Sequence, residues 1–326
     1  MKALLGAAAL LLTAATAPPW SWNLPAGVPP PPVPGENRMS DAKVELGRRL
    51  FYDADLSLDG TLACAGCHEQ KRAFADGNAT RPGVHGDPGR RNAPGLGNVA
   101  WLPRLTFADP SATSLEVQAL IPLLGENPVE MGMTGKEMEL GRRLGADRCY
   151  RRMFAKAFPE RQGRIDVPNV AAALAAFQRT MVALDSPYDR AARGDLVALT
   201  PLQIEGQGVF QSAGCASCHS GPLLTDAAYH RLGDPIGSDR GLAEHTGREA
   251  DEGYFRTPPL RNVAVTGPWW HDGSSSTLAH AIRRHRVALS DTEMAPLLAF
   301  LEALTDKQFL VEPRLGRPDW ACGKRL

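Results

Sequence analysis

The chain has 326 residues, of which 43% are hydrophobic and 22% are charged, so it is long enough for about two packed domains and is not disordered throughout. Its 36 basic and 36 acidic residues cancel, which excludes the broad basic field that nucleic-acid binding needs. The 32 glycines and 27 prolines predict long, irregular loops.

The first residues carry the pattern of an export signal. Lys2 supplies a positive charge, and residues 3–17 form a small, apolar run that is too short for a membrane span of about 20 residues. We therefore predict a signal peptide over residues 1–17 and an exported mature protein. Residues 18–37 include the string PAGVPPPPVP, which predicts a proline-rich linker before the folded part.

Helical patterns follow along the chain, whereas strand patterns with a two-residue period are scarce. Ser40 precedes an amphipathic helix that presents Leu46 and Leu50 on one face. Further helices are expected over residues 114–124, 135–144, 167–184, 201–212, 277–286 and 290–304, with loop-rich stretches over 69–110 and 220–276. The chain therefore divides into two similar, mainly helical domains, at residues 38–190 and 191–326.

Four of the six cysteines fall in two copies of one pattern, Cys64-Ala65-Gly66-Cys67-His68 and Cys215-Ala216-Ser217-Cys218-His219. Cys-x-x-Cys-His is the attachment motif of c-type haem. Its two sulfurs reach the two vinyl groups on one porphyrin edge, and its histidine is placed under the iron. A thioredoxin-like pair does not need this histidine twice, and a zinc ribbon spaces its pairs only about 15–20 residues apart. We therefore predict two covalent haem c groups, with His68 and His219 as proximal ligands.

The two remaining cysteines, Cys149 and Cys322, leave two alternatives. In an oxidising compartment they can form a disulfide. Otherwise they are separate thiols, one at a helix end and the other in the C-terminal tail. Of these two alternatives, we expect separate thiols.

Several shorter strings surround the haem motifs. They are Leu50-Phe51-Tyr52-Asp53, Arg91-Asn92-Ala93-Pro94, Asn127-Pro128-Val129-Glu130-Met131-Gly132, Phe177-Gln178-Arg179-Thr180, Ser186-Pro187-Tyr188-Asp189, Arg256-Thr257-Pro258-Pro259-Leu260-Arg261-Asn262-Val263, His271-Asp272-Gly273 and Leu304-Thr305-Asp306. Together they resemble the bacterial di-haem cytochrome c peroxidase and MauG family over residues 38–320. The resemblance implies two cytochrome c-like domains. The string Gly125-Glu126-Asn127-Pro128 is similar to the MbnH-like branch, whose enzyme oxidises a tryptophan of a partner protein.

In such enzymes the first haem reacts with peroxide, and the resemblance places Gln118 and Glu130 on its distal side. Glu130 would move a proton between the two peroxide oxygens as a general acid–base. The family spaces these two residues slightly closer than this chain does, so Glu126 competes for the role, although we expect it to lie on the surface. His85 resembles the loop histidine that ligates this iron in resting peroxidases and that MauG-like members lack.

The resemblance makes the second haem the electron-transfer group. Its sixth ligand is Met in the family's peroxidases and Tyr in MauG, and the matching position here is His285. The sequence departs from both patterns and predicts a bis-histidine haem, with His280 and Met294 as competing ligands. A second imidazole would lower the reduction potential relative to methionine.

Family members place a tryptophan between the haems, at a position where this chain has Phe107. Phenylalanine is much harder to oxidise, so an electron relay at this position would be weakened. Trp101, Trp269 and Trp270 are the alternative residues, each for a relay or for packing.

Family members also hold a structural calcium ion between the haems. Asn92 and the backbone of Thr266 and Pro268 match the positions of its ligands. Amide and carbonyl oxygens suit such a hard cation.

The expected function is that of a periplasmic di-haem c oxidoreductase that reduces hydrogen peroxide. Its electrons would come from a small redox protein, such as a cytochrome c or a cupredoxin, or from an oxidisable side chain of a partner protein. The alternative of another class is a non-catalytic electron-transfer cytochrome, which iron ligation by both His85 and His285 would favour. A homodimer is left open, and no nucleic-acid partner is expected.

Overall fold

A computed structural model of the chain describes residues 20–232, 238–322 and 324–325. The signal peptide predicted over residues 1–17 lies outside them. Eleven α-helices occur in this part of the chain: α1 Asp41–Phe51, α2 Cys64–Cys67, α3 Leu115–Leu124, α4 Glu137–Ala146, α5 Arg148–Ala157, α6 Val167–Gln178, α7 Pro187–Ala192, α8 Pro201–Ser212, α9 Ala243–Thr246, α10 Leu278–Arg284 and α11 Asp291–Glu302. The prediction of a mainly helical fold is confirmed.

Strands are short and few in the described ranges. Strand β1 (Tyr229–His230) pairs antiparallel with β2 (Phe255–Arg256), and β3 (Trp320–Ala321) pairs with β4 (Lys324–Arg325). Short 3-10 helices occur at Gly35–Asn37, Ala54–Leu56, Gln70–Arg72, Val99–Trp101, Pro159–Arg161, Cys215–Ser217, Glu249–Asp251, Val263–Val265 and Phe309–Val311. None of the helices found in the described ranges is both long and apolar enough to cross a membrane.

Local capping explains where several helices begin. The side chains of Ser40 and Ser114 accept hydrogen bonds from backbone N–H groups in the first turns of α1 and α3, and Thr200 forms a capping box at the start of α8. The helix predicted over residues 167–184 instead ends at Gln178. Beyond α6, the Asn98 side chain makes two hydrogen bonds with the backbone of Ala183, each 2.8 Å long. Its amide N–H donates to the Ala183 carbonyl, and its Oδ1 accepts from the Ala183 N–H.

The two units repeat one arrangement of long helices. Helix α1 packs against α6 in the first unit, and α8 packs against α11 in the second. A glycine lies at each crossing: a Cβ on Gly47 would be 1.9 Å from the carbonyl oxygen of Ala173, and a Cβ on Gly206 would be 1.9 Å from that of Pro296. The helices of each pair therefore approach closely enough for backbone contact. The first helix of each pair, α1 or α8, precedes a Cys-x-x-Cys-His motif in the chain.

The C-terminal residues return to the first unit, unlike the domain predicted over residues 191–326. Phe309 and Leu315 belong to the hydrophobic core of the first unit. The Tyr52 hydroxyl donates to the carbonyl of Leu315 at 2.8 Å, and the Gln70 amide donates to that of Glu312 at 2.9 Å. Side chains that flank the first haem motif in the chain thus hold the C-terminal tail.

The position of the C-terminal tail also decides the state of the two remaining cysteines, which were expected to be separate thiols. Cys149, in α5, and Cys322 form a disulfide, with their Cα atoms 5.6 Å apart. The expectation was wrong because it treated the helix end and the tail as unrelated. They lie 173 residues apart in sequence, and only the tertiary fold brings them together.

The proline-rich segment is packed against the first unit over its described part, residues 20–37. Trp101 donates its indole N–H to the carbonyl of Pro29 at 3.1 Å, and Pro31 is buried. Asn37 donates to the carbonyl of Ala172 in α6 at 2.9 Å. Extended proline-rich chain leaves its carbonyls free to accept such bonds, so these contacts hold the predicted linker against the first unit.

Candidate functional site

A cavity of about 930 Å³ lies between the two units and is bordered by residues of both. Both Cys-x-x-Cys-His motifs reach it, through Cys67 and His68 on one side and Cys215, Cys218 and His219 on the other. The fold therefore brings the two motifs to one shared space.

His68 is oriented by the loop that follows it. Its Nδ1 lies 2.6 Å from the carbonyl oxygen of Phe74, which accepts the imidazole proton. Ala73 and Phe74 both adopt left-handed backbone conformations, with φ of 53° and 61°, and these fold the loop back over the ring. Burial lowers the pKa of His68. The result is a neutral imidazole whose Nε2 is left for a metal.

His219 repeats this arrangement in the second unit. Its Nδ1 lies 3.2 Å from the carbonyl oxygen of Leu224, a residue that also has a left-handed backbone, with φ of 54°. Burial, together with the nearby His285, lowers the pKa of His219 to about 4. Both motif histidines are thus neutral near pH 7, with the same nitrogen held by a backbone carbonyl.

His285 follows α10 and borders the cavity opposite His219. The two ring centres are 6.4 Å apart, with their planes at 57°. The Nδ1 of His285 donates to the carbonyl of Ala281 at 2.8 Å, which leaves its Nε2 without a protein partner among the described residues. Of the competing residues, His280 is exposed and Met294 is packed in the second core. Neither borders the cavity.

Gln118 and Glu130 border the cavity in the first unit. Ser114 sets the start of α3 and hence the position of Gln118 in this helix. The backbone N–H of Met131 donates to the carbonyl of Pro122 at 3.0 Å, so the segment that carries Glu130 runs back along the end of α3. Glu126 is exposed and does not border the cavity.

Glu130 is exposed, as Glu126 is, but it faces the cavity, where the surrounding protein partly desolvates its carboxyl group. This desolvation raises the pKa of Glu130. Its charge in turn contributes to raising the pKa of both Cys64 and Cys67. The carboxyl group therefore lies close to the first haem motif, as a distal acid–base would require.

His85 does not reach the cavity in this structure. It is exposed, in a turn closed by a hydrogen bond of 2.9 Å from Gly86 N–H to the Gly83 carbonyl. The Val84 N–H donates to the carbonyl of Glu130 at 2.9 Å. A Cβ on Gly83 would be only 1.7 Å from the carbonyl oxygen of Val129. This backbone contact fixes the turn with its tip outward, so the structure does not place His85 as a distal ligand.

Phe107 borders the cavity, and its carbonyl accepts the backbone N–H of Arg256 at 2.8 Å. Trp269 donates its indole N–H to Val263 at 2.8 Å and packs on the second core. Trp270 lies edge-on to His285, with ring centres 5.4 Å apart. Trp101 does not border the cavity. Trp270 is therefore the alternative relay residue that the structure shows in contact with a predicted iron ligand.

The three residues predicted to bind calcium, Asn92, Thr266 and Pro268, all border the cavity. Asn92 is buried, and its side-chain N–H₂ donates to the carbonyls of Asn78 and Ala79 at 2.9 and 3.2 Å. This orientation leaves its Oδ1 without a hydrogen-bond partner in the described part of the chain. One amide oxygen is thus suitably placed for a hard cation, and calcium binding stays a prediction.

Comparison with known proteins identifies the family. The family model described as di-haem cytochrome c peroxidase matches residues 41–196. The cytochrome c551 peroxidase of Pseudomonas aeruginosa is 35% identical over 287 residues, which cover 84% of this chain and 82% of that protein. This chain belongs to the di-haem cytochrome c peroxidase family. The methylamine utilization protein MauG of Methylorubrum extorquens is 36% identical over 293 residues, with 84% and 81% covered.

Solved structures agree with this family assignment. A MauG-like protein associated with microbial copper homeostasis superposes with a TM-score of 0.86 and 38% identity, over 92% of this chain and 99% of that one. The diheme peroxidase BthA from Burkholderia thailandensis superposes with a TM-score of 0.70 and 25% identity, over 88% and 91% of the two chains. The family is one of peroxidase-type oxidoreductases with haem c cofactors.

The residues at the cavity fit the cofactor that the family implies. Burial raises the pKa of Cys64 to about 12 and that of Cys67 to about 11, so these thiols are protonated near pH 7, unlike the thiolate of a redox-active pair. Two imidazoles on opposite sides of one iron, with metal–nitrogen bonds of about 2.0 Å, have ring centres about 6 Å apart. The 6.4 Å between His219 and His285 matches that spacing.

Sequence reasoning missed a charged cluster at the cavity edge that joins the two units. Arg91 binds Asp239 through contacts of 2.8 and 2.6 Å and binds Glu244 at 2.8 Å. Arg91 stands in one of the family-like strings, but nothing in the sequence indicated its partners. Both partners lie about 150 residues away, Asp239 in a loop and Glu244 in α9, and only the fold determines their contact with Arg91.

Proposed function

We propose that this protein reacts with hydrogen peroxide at a haem c held by Cys64, Cys67 and His68. The observation that carries the proposal is that Gln118 and Glu130 border the cavity beside this motif, while His85 points away from it. The bound haems supply iron that activates peroxide and that stores and passes on electrons. The chain supplies the proton chemistry and the geometry.

Glu130 acts as the general acid–base. Its carboxylate takes a proton from one oxygen of hydrogen peroxide and returns it to the other, which leaves as water when the O–O bond breaks. The remaining oxygen becomes a second water with two electrons and two protons, which the oxidised donor supplies. Gln118, from α3, orients the peroxide by donating a hydrogen bond from its side-chain amide. Neither side chain has to move across the cavity to reach the first haem motif, because both residues lie on cavity walls formed by the first unit.

The second motif serves electron transfer. Cys215 and Cys218 would attach a haem there, and His219 and His285 would be the residues that hold its iron. Both imidazoles have Nδ1 held by a backbone carbonyl, which fixes their orientation and leaves both Nε2 atoms for a metal, so that a haem held there would serve electron transfer. A calcium ion bound by Asn92, Thr266 and Pro268 would stiffen the region between the two motifs.

The electrons come from an oxidisable side chain of a partner protein. Two observations support this choice over a small redox donor. His85 is exposed and lies outside the cavity, so it does not have to be displaced before peroxide can enter. The structural similarity to a MauG-like protein associated with microbial copper homeostasis is also extensive, at 92% of this chain.

The site of action is the periplasm. The apolar run at residues 3–17 supports export. The Cys149–Cys322 disulfide is of a kind that forms and persists in oxidising compartments, and c-type haem is attached outside the cytoplasm.

The test is to add one equivalent of peroxide to the purified diferric protein and to follow visible, near-infrared and EPR spectra. We expect a rapid, persistent spectral change without prior reduction. A response only after one haem has been reduced would indicate a peroxidase gated by His85 and fed by a redox protein. No response in either redox state would leave a non-catalytic electron-transfer cytochrome.

A further inference from the structure

Arg256 is a buried cation without a counterion among the described residues. Only 2% of the surface of Arg256 is exposed to solvent, and the residue borders the cavity. Its Nε donates to the carbonyl of Thr106 at 2.9 Å and its Nη1 to that of Thr257 at 3.0 Å. The remaining N–H groups of the guanidinium have no hydrogen-bond partner in the described ranges. Burial lowers the pKa of Arg256 to about 10.

Two other arginines with largely buried side chains have carboxylate partners. Arg179 binds Glu116 at 2.7 Å, and Arg261 binds Asp189 at 2.6 Å. No carboxylate of the described residues lies within 4.0 Å of Arg256. An isolated buried charge is costly, and carbonyl dipoles alone do not neutralise it. An anion from outside the polypeptide would therefore complete this site.

The location of Arg256 indicates which anion this is. Arg256 lies in β2 directly opposite Tyr229 of β1, and the Tyr229 hydroxyl is buried without a partner in the described part of the chain. The backbone of Pro258, two residues after Arg256, accepts a hydrogen bond from the imidazole of His219. The segment that carries Arg256 thus passes beside the second haem motif, Arg256 itself borders the cavity, and a haem brings two carboxylates that need partners.

We propose that Arg256 binds a propionate of the haem held by His219 and serves as its counterion inside the cavity. A guanidinium suits this task because its planar N–H groups match a carboxylate in a bidentate manner. The proposal rests on haem binding by the second motif but not on the reaction with peroxide.

The consequence is a reduction potential of the second haem that does not vary with pH near neutrality. With Arg256 in place, the propionate stays ionised in both redox states. Without it, the buried propionate has a raised pKa. This pKa is higher when the iron is ferrous, because ferric iron favours the anion more strongly. Reduction then takes up a proton, and the potential falls as pH rises.

The experiment measures the midpoint potential of each haem by spectroelectrochemistry from about pH 6 to about pH 8. We expect flat profiles for the wild-type protein and for Arg256→Lys, which keeps the charge. In Arg256→Gln the potential of the His219 haem should fall with rising pH, while that of the His68 haem is unchanged. Arg104→Gln is the matched control, because Arg104 lies over the Tyr229 ring at 5.7 Å but does not border the cavity.

Three results would overturn the proposal: a sloping wild-type profile, a flat profile in a folded Arg256→Gln protein, or a slope that appears at the His68 haem instead. If Arg256→Gln fails to fold, the wild-type and Arg256→Lys profiles still decide, since a slope in either contradicts a paired propionate. Because no peroxide is added, a protein that is inert to peroxide would still give a valid answer.

Discussion

Glu130 combines access to the cavity with partial desolvation, and this combination sets its expected pH dependence. The raised pKa of Glu130 means that its carboxylate form is lost on acidification at a higher pH than for an ordinary glutamate. The rate of the reaction with peroxide should therefore fall as pH decreases through this raised pKa. Stopped-flow measurement of the spectral change at several pH values checks this expectation.

Removal of the carboxylate gives the same argument a direct test. We expect Glu130→Gln to slow the reaction by about 10²–10⁴-fold, the usual contribution of a general acid–base. The fall in rate at low pH should also disappear in this variant. Its stability near neutral pH should not decrease, because an ionised group with a raised pKa opposes folding there. Glu126→Gln, which changes an exposed residue outside the cavity, should leave the rate unchanged. An unchanged rate in Glu130→Gln would remove Glu130 from the mechanism.

At the scale of elements, the close crossing of α8 and α11 depends on Gly206. A Cβ there would be 1.9 Å from the carbonyl oxygen of Pro296 and 2.9 Å from the Cβ of Phe300. Since backbone atoms cannot move aside locally, we expect Gly206→Ala to lower the free energy of unfolding by about 1–3 kcal/mol. Urea unfolding followed by circular dichroism measures this change.

The same helix offers a matched control. A Cβ added to Gly208 would meet no atom within 4 Å, so Gly208→Ala adds helix propensity without a clash. It should stabilise the protein by up to about 1 kcal/mol. Equal effects of the two substitutions would show that the helix crossing does not depend on backbone contact.

Locally determined elements were the ones that could be predicted from sequence. Ser40 and Ser114 cap their helices through bonds to residues three positions on, and both Cys-x-x-Cys-His motifs are short strings. The early end of α6 could not be predicted, because it depends on Asn98, 85 residues from Ala183. The outward position of His85 likewise depends on a distant segment, the one that carries Glu130.

At the scale of the whole molecule, the C-terminal tail joins the second unit back to the first. Non-covalent contacts hold it at Tyr52 and Gln70, and the Cys149–Cys322 disulfide adds a covalent link near its end. The disulfide closes a long loop that includes both the second haem motif and α11. A cross-link of this kind acts mainly on the unfolded chain, whose conformational freedom it restricts.

This restriction predicts how the disulfide contributes to stability and function. We expect the double variant Cys149→Ser/Cys322→Ser to lose about 2–5 kcal/mol in the free energy of unfolding. Its reaction with peroxide should be unchanged, because neither cysteine borders the cavity. Each single variant should lose about as much as the double variant, since either one removes the same cross-link. If unfolding were unaffected, the contacts of Tyr52 and Gln70 would alone suffice to hold the tail. Slower reaction with peroxide in the folded double variant would instead show that the tail positions the first haem motif.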